Sequence, residues 1–234
     1  MVLMVPFVSV LCPTRDRRAF IPNLLRCFRH QAWPADRIEL IVLDDGRDSV
    51  ADLLDGVDPQ IHYHRLDVVS PIGTKRNRLC ELAQGEILVN LDDDDWSPPD
   101  RIARSVALLD ERGVDVVGCS ELAFYNVATD RIHQYPKVGP KHATAGSMAF
   151  RRAWWDRKKW APDPHTEERQ FLDNFTAKLA QFPCEPWRIV LAIAHGGNVL
   201  PKNTGMPALP IRLEDAVSDA EAVAFYRGFA EDDW

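Results

Sequence analysis

Neither a CxxC pair nor a zinc-type cluster occurs in this chain; its five cysteines, Cys12, Cys27, Cys80, Cys119 and Cys184, are scattered. An odd, dispersed set reads as reduced thiols in a cytoplasmic protein and excludes a disulfide framework. No apolar run reaches the roughly 18 residues that a spanning helix needs. The apolar start, Met1 to Cys12, has no basic region before it and no small-residue cleavage site after it, so it reads as a buried strand. Positive charge is not in excess: 28 Lys and Arg face 35 Asp and Glu, a formal net charge of -7. That balance argues against a broad nucleic-acid or anionic-membrane surface, although a local basic groove stays open. Internal repeats and low-complexity tracts are absent as well.

What is present suits one α/β domain. The 234 residues are 46% hydrophobic and 27% charged, enough for a sizeable core under a soluble surface. Phe7 to Leu11, Glu39 to Leu43, Ile61 to Leu66 and Glu86 to Leu91 are short apolar runs of the kind that form buried parallel strands. Between them Phe20, Ile21, Leu24, Leu25 and Phe28 recur at helical spacing, with Pro22 tolerable only in a first turn. Gly73 to Ala83 also reads as helical, ending at Gly85. Ser97-Pro98-Pro99-Asp100 offers a cap, a first-turn proline and a capping carboxylate for a helix with Ile102, Val106 and Leu109 on its apolar stripe. Gly113 closes that helix, and Val114 to Cys119 is strand-like. This alternation predicts a mostly parallel sheet with helices on both faces.

The second half is more mixed. Leu122 to Val127 and Arg131 to Tyr135 can pair as strands, Ser147 to Phe150 is a short strand, and Ile189 to Ala194 a last buried one. Thr166 is expected to cap a helix whose apolar face is Phe171, Leu172, Phe175 and Leu179. Arg151 to Trp160 mixes basic and aromatic residues, which suits an amphipathic helix with its tryptophans in the core. A further helix is expected near Ala216 to Phe229.

In open α/β sheets ligands bind beyond the C-terminal ends of the strands. Two acidic groups stand at such ends: Asp44-Asp45, and Asp92 through Asp95. An arbitrary acidic run is ordinarily a solvated loop, but adjacent carboxylates repel, and folding them side by side calls for a cation or donor groups. Placed between the apolar run Ile87 to Leu91 and Trp96 at a helix start, this run points to a metal–phosphate site, with Mg²⁺ or Mn²⁺ as the hard cation.

Four blocks taken in order, Ser9-Val10-Leu11-Cys12-Pro13-Thr14-Arg15, Leu43-Asp44-Asp45-Gly46, Gly73-Thr74-Lys75-Arg76-Asn77 and Leu91-Asp92-Asp93-Asp94-Asp95-Trp96, resemble glycosyltransferase family 2. The resemblance covers roughly the first hundred residues closely and the remainder more loosely. It implies a GT-A (Rossmann-like) fold in a single α/β domain: residues 1–120 as the nucleotide-sugar half, 121–200 as the acceptor half, and 201–234 as a C-terminal extension. The implied reaction is metal-dependent, inverting transfer from a nucleotide sugar, a UDP-sugar by family habit. Carried over residue by residue, Pro13, Thr14, Arg15 and Asp44 would line the nucleoside pocket, with Asp44 accepting from the base. Lys75 and Arg76 would lie near the nucleotide, Asp92 near the ribose with Asp93 beside it, and Asp94 would bind the metal.

The same resemblance places a catalytic base at the acidic pair Glu167-Glu168, with Glu168 preferred; the usual pattern ends in Asp, one methylene shorter. Acidic residues in a first turn also stabilise a helix without any catalysis. His195, in a glycine-rich turn, is a candidate second metal ligand or a plain polar loop residue. Two other functions stay open. A nucleotidyltransferase such as a sugar-nucleotide pyrophosphorylase would want a glycine-rich loop after the first strand, where Cys12-Pro13-Thr14-Arg15-Asp16 stands. A catalytically inactive nucleotide-sugar-binding module would not need both acidic groups intact. The acceptor, whether saccharide, lipid-linked sugar, protein or modified nucleic-acid base, is not encoded in any motif, and neither cytoplasmic residence nor peripheral contact with a membrane is excluded.

Overall fold

Apolar residues alternate across the strands, and that alternation divides the core into two layers. The computed structural model describes residues 5–163, 167–196, 198, 202 and 205–229. Along the chain run β1 (Val8–Thr14), α1 (Ile21–Arg29), β2 (Ile38–Asp44), α2 (Ala51–Leu54), β3 (Ile61–Arg65), α3 (Ile72–Leu82), β4 (Ile87–Asn90), α4 (Arg101–Arg112) and β5 (Val116–Gly118). They are followed by β6 (Leu122–Asn126), β7 (Arg131–Tyr135), β8 (Ala149–Arg151), α5 (Arg152–Arg157), α6 (Glu167–Phe171), β9 (Leu179–Gln181), β10 (Ala192–Ala194), α7 (Leu213–Ala216) and α8 (Ala220–Gly228).

A seven-stranded sheet has the order β3-β2-β1-β4-β8-β5-β9. All neighbours in it are parallel except β8, which lies antiparallel between β4 and β5. Val8, Val10 and Cys12 of β1 face α1 and α4, whose Ile21, Leu24, Leu25, Phe28, Ile102, Val106 and Leu109 fill one layer. Leu11, Ile41 and Leu43 face the opposite way, onto Leu79 of α3, Trp154 and Trp155 of α5 and Phe171 of α6. The two halves of the chain therefore share one sheet. A smaller sheet, β10-β6-β7, packs against α7 and α8. Among the described residues no helix is long and apolar enough to cross a membrane.

Local sequence explains most of these elements. In α1 the buried residues follow i, i+3, i+4, i+7 spacing, and Pro22 sits in the first turn, where its missing N–H leaves no hydrogen bond unmade. Gly113 ends α4 in the left-handed conformation at φ 55°, which costs glycine nothing. The tryptophans of the basic segment, Trp154, Trp155 and Trp160, are buried as expected.

Several boundaries differ from the sequence reading, each for a packing reason. Ser97 to Asp100 does not cap α4 with a side chain; the Pro98 and Pro99 carbonyls instead accept from Gln31 and from the Ala32 N–H beyond the end of α1. α3 stops at Leu82, where Arg152 covers the carbonyls of Cys80, Ala83 and Gly85. Gly85 is required because a Cβ there would stand 2.5 Å from the Ser9 nitrogen. The strand expected at Ser147 to Phe150 begins only at Ala149, after a 3-10 turn over Ala145–Ser147. The last buried strand is confined to β10, preceded by a 3-10 turn over Pro186–Arg188. The helix expected through Leu179 ends at Phe171. The chain then passes through left-handed φ values at Asp173, Asn174 and Phe175 (53°, 54° and 63°), and Leu179 pairs with Val116 in the sheet. Thr166, its expected cap, lies outside the described residues. The single C-terminal helix is two, with Asp219 capping the second by accepting from the Glu221 and Ala222 N–H groups.

Gly73 is the close approach that seats α3. A Cβ added there would meet the Ala161 carbonyl oxygen at 1.6 Å, a backbone atom with no freedom to rotate away. Gly73→Ala should therefore lower stability by at least about 1–3 kcal/mol in urea unfolding. Gly139→Ala, where nothing lies within 4 Å, should stay near wild type. Equal stability of the two variants would show that α3 does not sit against residue 161.

Candidate active site

The parallel strands β2, β1 and β4 end side by side, and their C-terminal ends deliver the acidic residues to one edge. Thr14 pairs in register with Asp44, and Leu11 with Asn90. The chain therefore emerges from β4 beside the end of β1. Pro13 and Thr14 are buried at that end, whereas Arg15 is at the rim, 3.9 Å from Asp16.

Asp44 is turned inward. It accepts from the Gly46 and Val50 N–H groups, the Tyr63 hydroxyl and the Arg65 guanidinium, all at 2.7–3.3 Å, and is only 1% exposed. Its neighbour Asp45 takes a 2.6 Å ion pair from Lys75, which also donates to the Thr14 carbonyl at 2.9 Å. The Ser70 N–H holds the other Asp45 oxygen. Lys75 thus ties the ends of β1 and β2 together from α3.

Arg76, one residue on, is buried between two carboxylates: Asp92 at 3.2 Å and Glu167 at 3.4 Å. The Trp160 ring lies 5.5 Å away. The Glu167 contact is a charge contact rather than an aligned hydrogen bond, and Arg76 Nε and Nη1 find no hydrogen-bond partner among the described residues. Buried cationic N–H groups left in this state are poised for an added anion.

The four consecutive aspartates separate by environment. Asp92 is the most open. Asp93 accepts from the Thr14 hydroxyl at 2.6 Å and is pushed up to about 7, by burial first and then by the Asp94 charge. Asp95 accepts from the Ile193 N–H and is also raised, by burial and by the charges of Asp94 and Asp92. Asp94 moves the other way: burial opposes its charge, but His195 and Arg17 outweigh that and hold its carboxyl below the ordinary range. Asp94 Oδ2 lies 2.9 Å from His195 Nε2 and 3.4 Å from Arg17, and Asn198 donates to it at 3.2 Å. Burial lowers His195 despite the pull of Asp94, which favours the neutral imidazole that metals bind.

Beneath the cluster is Arg101, the first residue of α4 and 1% exposed. It donates to the carbonyls of Asn90 and Gly146 and contributes buried positive charge behind Asp92 and Asp95. A Cβ on Gly146 would stand 2.7 Å from Asp92 Oδ2, so any larger residue would make the Asp92 carboxylate shift.

A divalent cation fits this donor set in part. Asp94 and His195 converge on one point with an oxygen and a nitrogen suited to Mn²⁺ or Mg²⁺. Among the described residues no third His, Cys, Asp or Glu completes a cage. Mg²⁺-type sites ordinarily draw their remaining ligands from phosphate and water.

The acidic pair divides as well. Glu167 is buried against Arg76. Glu168 is more open, its side chain 31% exposed; it accepts from the Ala145 N–H at 2.6 Å and contacts His142 Nε2 at 3.2 Å. The structure thus joins Thr14 to Asp93, Asp94 to His195, and Arg76 to Asp92 and Glu167, while among the described residues Arg15 reaches only Asp16 and Glu168 meets the 142–146 loop instead of the aspartates. Arg17, Arg101, His142 and Asn198 belong to this assembly without having stood out as site residues, and Asp45, noticed only as one of an acidic pair, belongs to it through Lys75. The nearest signal was a cation after the first strand, and Arg17 is two positions past Arg15.

Glu167 carries a pH signature. Burial raises its carboxyl most, Arg76 opposes, and the neighbouring Glu168 and Asp92 charges add to the rise, leaving it at about 7. The folded chain then holds this proton more tightly than the unfolded chain, where a glutamate titrates near about 4.3. Its contribution is full below about pH 4 and is lost as pH rises through about 7. Glu167→Gln stays neutral throughout. Its melting temperature should match wild type below about pH 4, exceed it by a margin that grows between about pH 4 and about pH 7, and keep a constant margin above that. Parallel pH curves for the two proteins would rule out a raised Glu167.

Comparison with known proteins agrees with this fold. The family model for glycosyl transferase family 2 matches residues 9–183. WcaA of Escherichia coli (strain K12), a glycosyl transferase named for colanic acid biosynthesis, is 26% identical over 212 residues, which are 82% of this chain and 74% of that protein. Among solved structures, S. aureus TarS 1-349 in complex with UDP-GlcNAc superposes with a TM-score of 0.67 at 18% identity, covering 82% of this chain and 60% of that one. The mannosyltransferase PcManGT from Pyrobaculum calidifontis, in complex with GDP-Man and Mn²⁺, gives 0.60 at 17% identity, covering 76% and 55%. These structural matches establish the GT-A fold. With the family model spanning most of both halves, the chain belongs to glycosyl transferase family 2 and is a glycosyltransferase.

Proposed function

We propose that this chain transfers a sugar, with inversion at the anomeric carbon, from a UDP-sugar to a hydroxyl of a saccharide or lipid-linked acceptor in a divalent-metal-dependent reaction. The observation that carries the proposal is the convergence of Asp94 and His195 at the sheet edge, near Arg76 and Arg101, whose buried guanidinium groups keep N–H groups with no hydrogen-bond partner among the described residues. The Mn²⁺ and nucleotide sugars bound by the two solved relatives support the cofactor and donor class.

In this reading Pro13, Thr14 and Arg15 border the nucleoside. Asp44 serves the pocket by fixing the Gly46 turn and Arg65, since its own oxygens already accept from four protein donors. Asp92 stands toward the ribose, with Asp93 locked behind it by Thr14. Asp94 and His195 would hold the cation, which when bound acts as a Lewis acid on the diphosphate. Lys75 holds the floor of the pocket, and Arg76 turns its free N–H groups toward the negative charge that grows as the anomeric C–O bond breaks.

Glu168 is the base. It takes the proton of the acceptor hydroxyl as that oxygen bonds to the anomeric carbon, and the nucleoside diphosphate leaves with the electron pair of the broken bond. Glu167 is less suited, being buried against Arg76. Residues 1–120 then form the nucleotide half and 121–200 the acceptor half, with 201–234 as a C-terminal extension whose helices α7 and α8 pack against the smaller sheet. A lipid-linked acceptor would bring the chain to the cytoplasmic membrane surface without a spanning helix.

UDP should raise the melting temperature mainly when Mn²⁺ or Mg²⁺ is present, and Asp94→Ala should remove that increment while leaving the apo transition cooperative. Equal stabilisation by UDP in excess EDTA would refute the metal assignment. Sugar release from a panel of UDP-GlcNAc, UDP-glucose and GDP-mannose, with and without Mn²⁺, tests the donor class.

Glu168→Gln keeps size and loses basicity, so turnover should fall roughly a hundredfold or more with donor affinity nearly unchanged. Glu167→Gln is the internal control, because adjacent helical residues point about 100° apart. Should Glu167→Gln carry the rate loss and Glu168→Gln none, the base assignment moves to Glu167.

A further inference from the structure

The side chain of Glu168 is held by a relay that begins beyond the end of β5. Ser120, just past β5, is buried, and its Oγ accepts from the backbone N–H groups of Val138 at 3.1 Å and Gly139 at 3.2 Å. A hydroxyl oxygen has two lone pairs, so both acceptor positions are used. What remains is the hydroxyl hydrogen, and His142 Nδ1 lies 3.2 Å from that oxygen. Nδ1 must then be the acceptor, which places the ring hydrogen on Nε2. A doubly protonated ring would drive a second hydrogen onto an oxygen with no lone pair left. His142 Nε2 faces Glu168 Oε2 at 3.2 Å, while the Ala145 N–H takes Oε1.

The ring is fixed from its other sides too. Phe175 lies 5.8 Å from it, centroid to centroid, brought there by the left-handed run Asp173-Asn174-Phe175. Three such residues in succession are unfavourable, and backbone of this kind persists only where the surroundings over-determine it. Gln181 of β9 donates to the His142 and Gly139 carbonyls and pins the loop to the sheet edge.

We propose that His142 is a positioning residue for the transfer reaction: locked by Ser120 as the Nε2–H tautomer, it donates to Glu168 and aims the carboxylate at the acceptor hydroxyl. The inference rests on the assignment of Glu168 as base. His142 moves no proton itself. With one donor on each oxygen, Glu168 keeps one orientation and retains a lone pair for the incoming proton.

Two substitutions separate the contacts. In His142→Gln the amide nitrogen stands near the place of Nε2 and can still reach Glu168; in His142→Asn it stands near Nδ1 and cannot. Hydrolysis of the panel donors provides the assay, with water in the acceptor's place giving its proton to the same base. His142→Asn should lower the single-turnover rate about tenfold or more, with KM for the donor and UDP affinity unchanged, and His142→Gln should recover most of the loss. His142→Leu supplies the same comparison if the Asn variant does not fold.

In a Glu168→Gln background His142→Asn should cost nothing further. A loss of equal size in both backgrounds would mean a merely structural role and overturn the proposal. A slow Glu168→Gln variant with a normal His142→Asn variant would overturn the positioning role and leave the base assignment standing. A Glu168→Gln variant of normal rate would overturn the base assignment itself. Independently of turnover, ¹⁵N NMR of the wild-type ring should show the neutral Nε2–H tautomer; an Nδ1–H or doubly protonated His142 would refute the relay.

Discussion

Crowded negative charge at one edge of a sheet is the constraint on which the rest of this structure depends. Two unit charges 4 Å apart interact with about 4 kcal/mol at an effective dielectric constant of 20, so six aspartates at neighbouring strand ends could not all be ionised without help. The help comes from different parts of the fold. Lys75 and Arg76 arrive from α3, Arg101 from the start of α4, and Arg17 from the turn after β1. At Asp93 and Asp95 burial and the neighbouring aspartate charges outweigh the cations and raise both carboxyls. The result is graded: Asp94 stays charged next to an imidazole, and its neighbours on both sides are held by uncharged donors. A single acidic run thus becomes one prospective ligand with a supporting frame.

The antiparallel β8 is what links this frame to the second half of the chain. By inserting between β4 and β5 it brings the preceding 142–147 loop across the strand ends. Asn90 donates to the Ala145 carbonyl and Arg101 to the Gly146 carbonyl, both at or below 2.8 Å. The same loop offers the Ala145 N–H to Glu168. One short segment therefore touches the proposed donor side through Asp92 and the proposed acceptor side through Glu168. A change in either carboxylate is felt by the same backbone.

The C-terminal helix α8 has a similar supporting part. Tyr226 is fully buried and shares a 2.6 Å hydrogen bond with Asn23 of α1. Phe20 lies between the Phe229 ring at 4.8 Å and the His195 ring at 4.9 Å. His195 thus rests on a small aromatic stack, and residues 213–229 are part of the wall behind the site.

The sequence by itself determined the strand–helix alternation, the acidic clusters at strand ends and the family blocks, because apolar period, glycine stops and adjacent carboxylates are local properties. It also brought Asp94 and His195 to notice, although a hundred residues separate them. Which aspartate keeps its charge, and that Asp44 faces inward while Asp45 meets Lys75, were decided by tertiary structure, because burial and counter-charges come from residues distant in sequence. The helical spacing of Phe171, Leu172, Phe175 and Leu179 misled for the same reason. A place for Leu179 beside Val116 in the sheet, and an ion pair between Lys158 and Asp173 at 2.7 Å, outweighed a periodicity that five residues of helix could not sustain. His142 and Ser120 carry no motif at all; only the crossing of the 138–147 loop over the end of β5 puts a hydroxyl, an imidazole and a carboxylate in line.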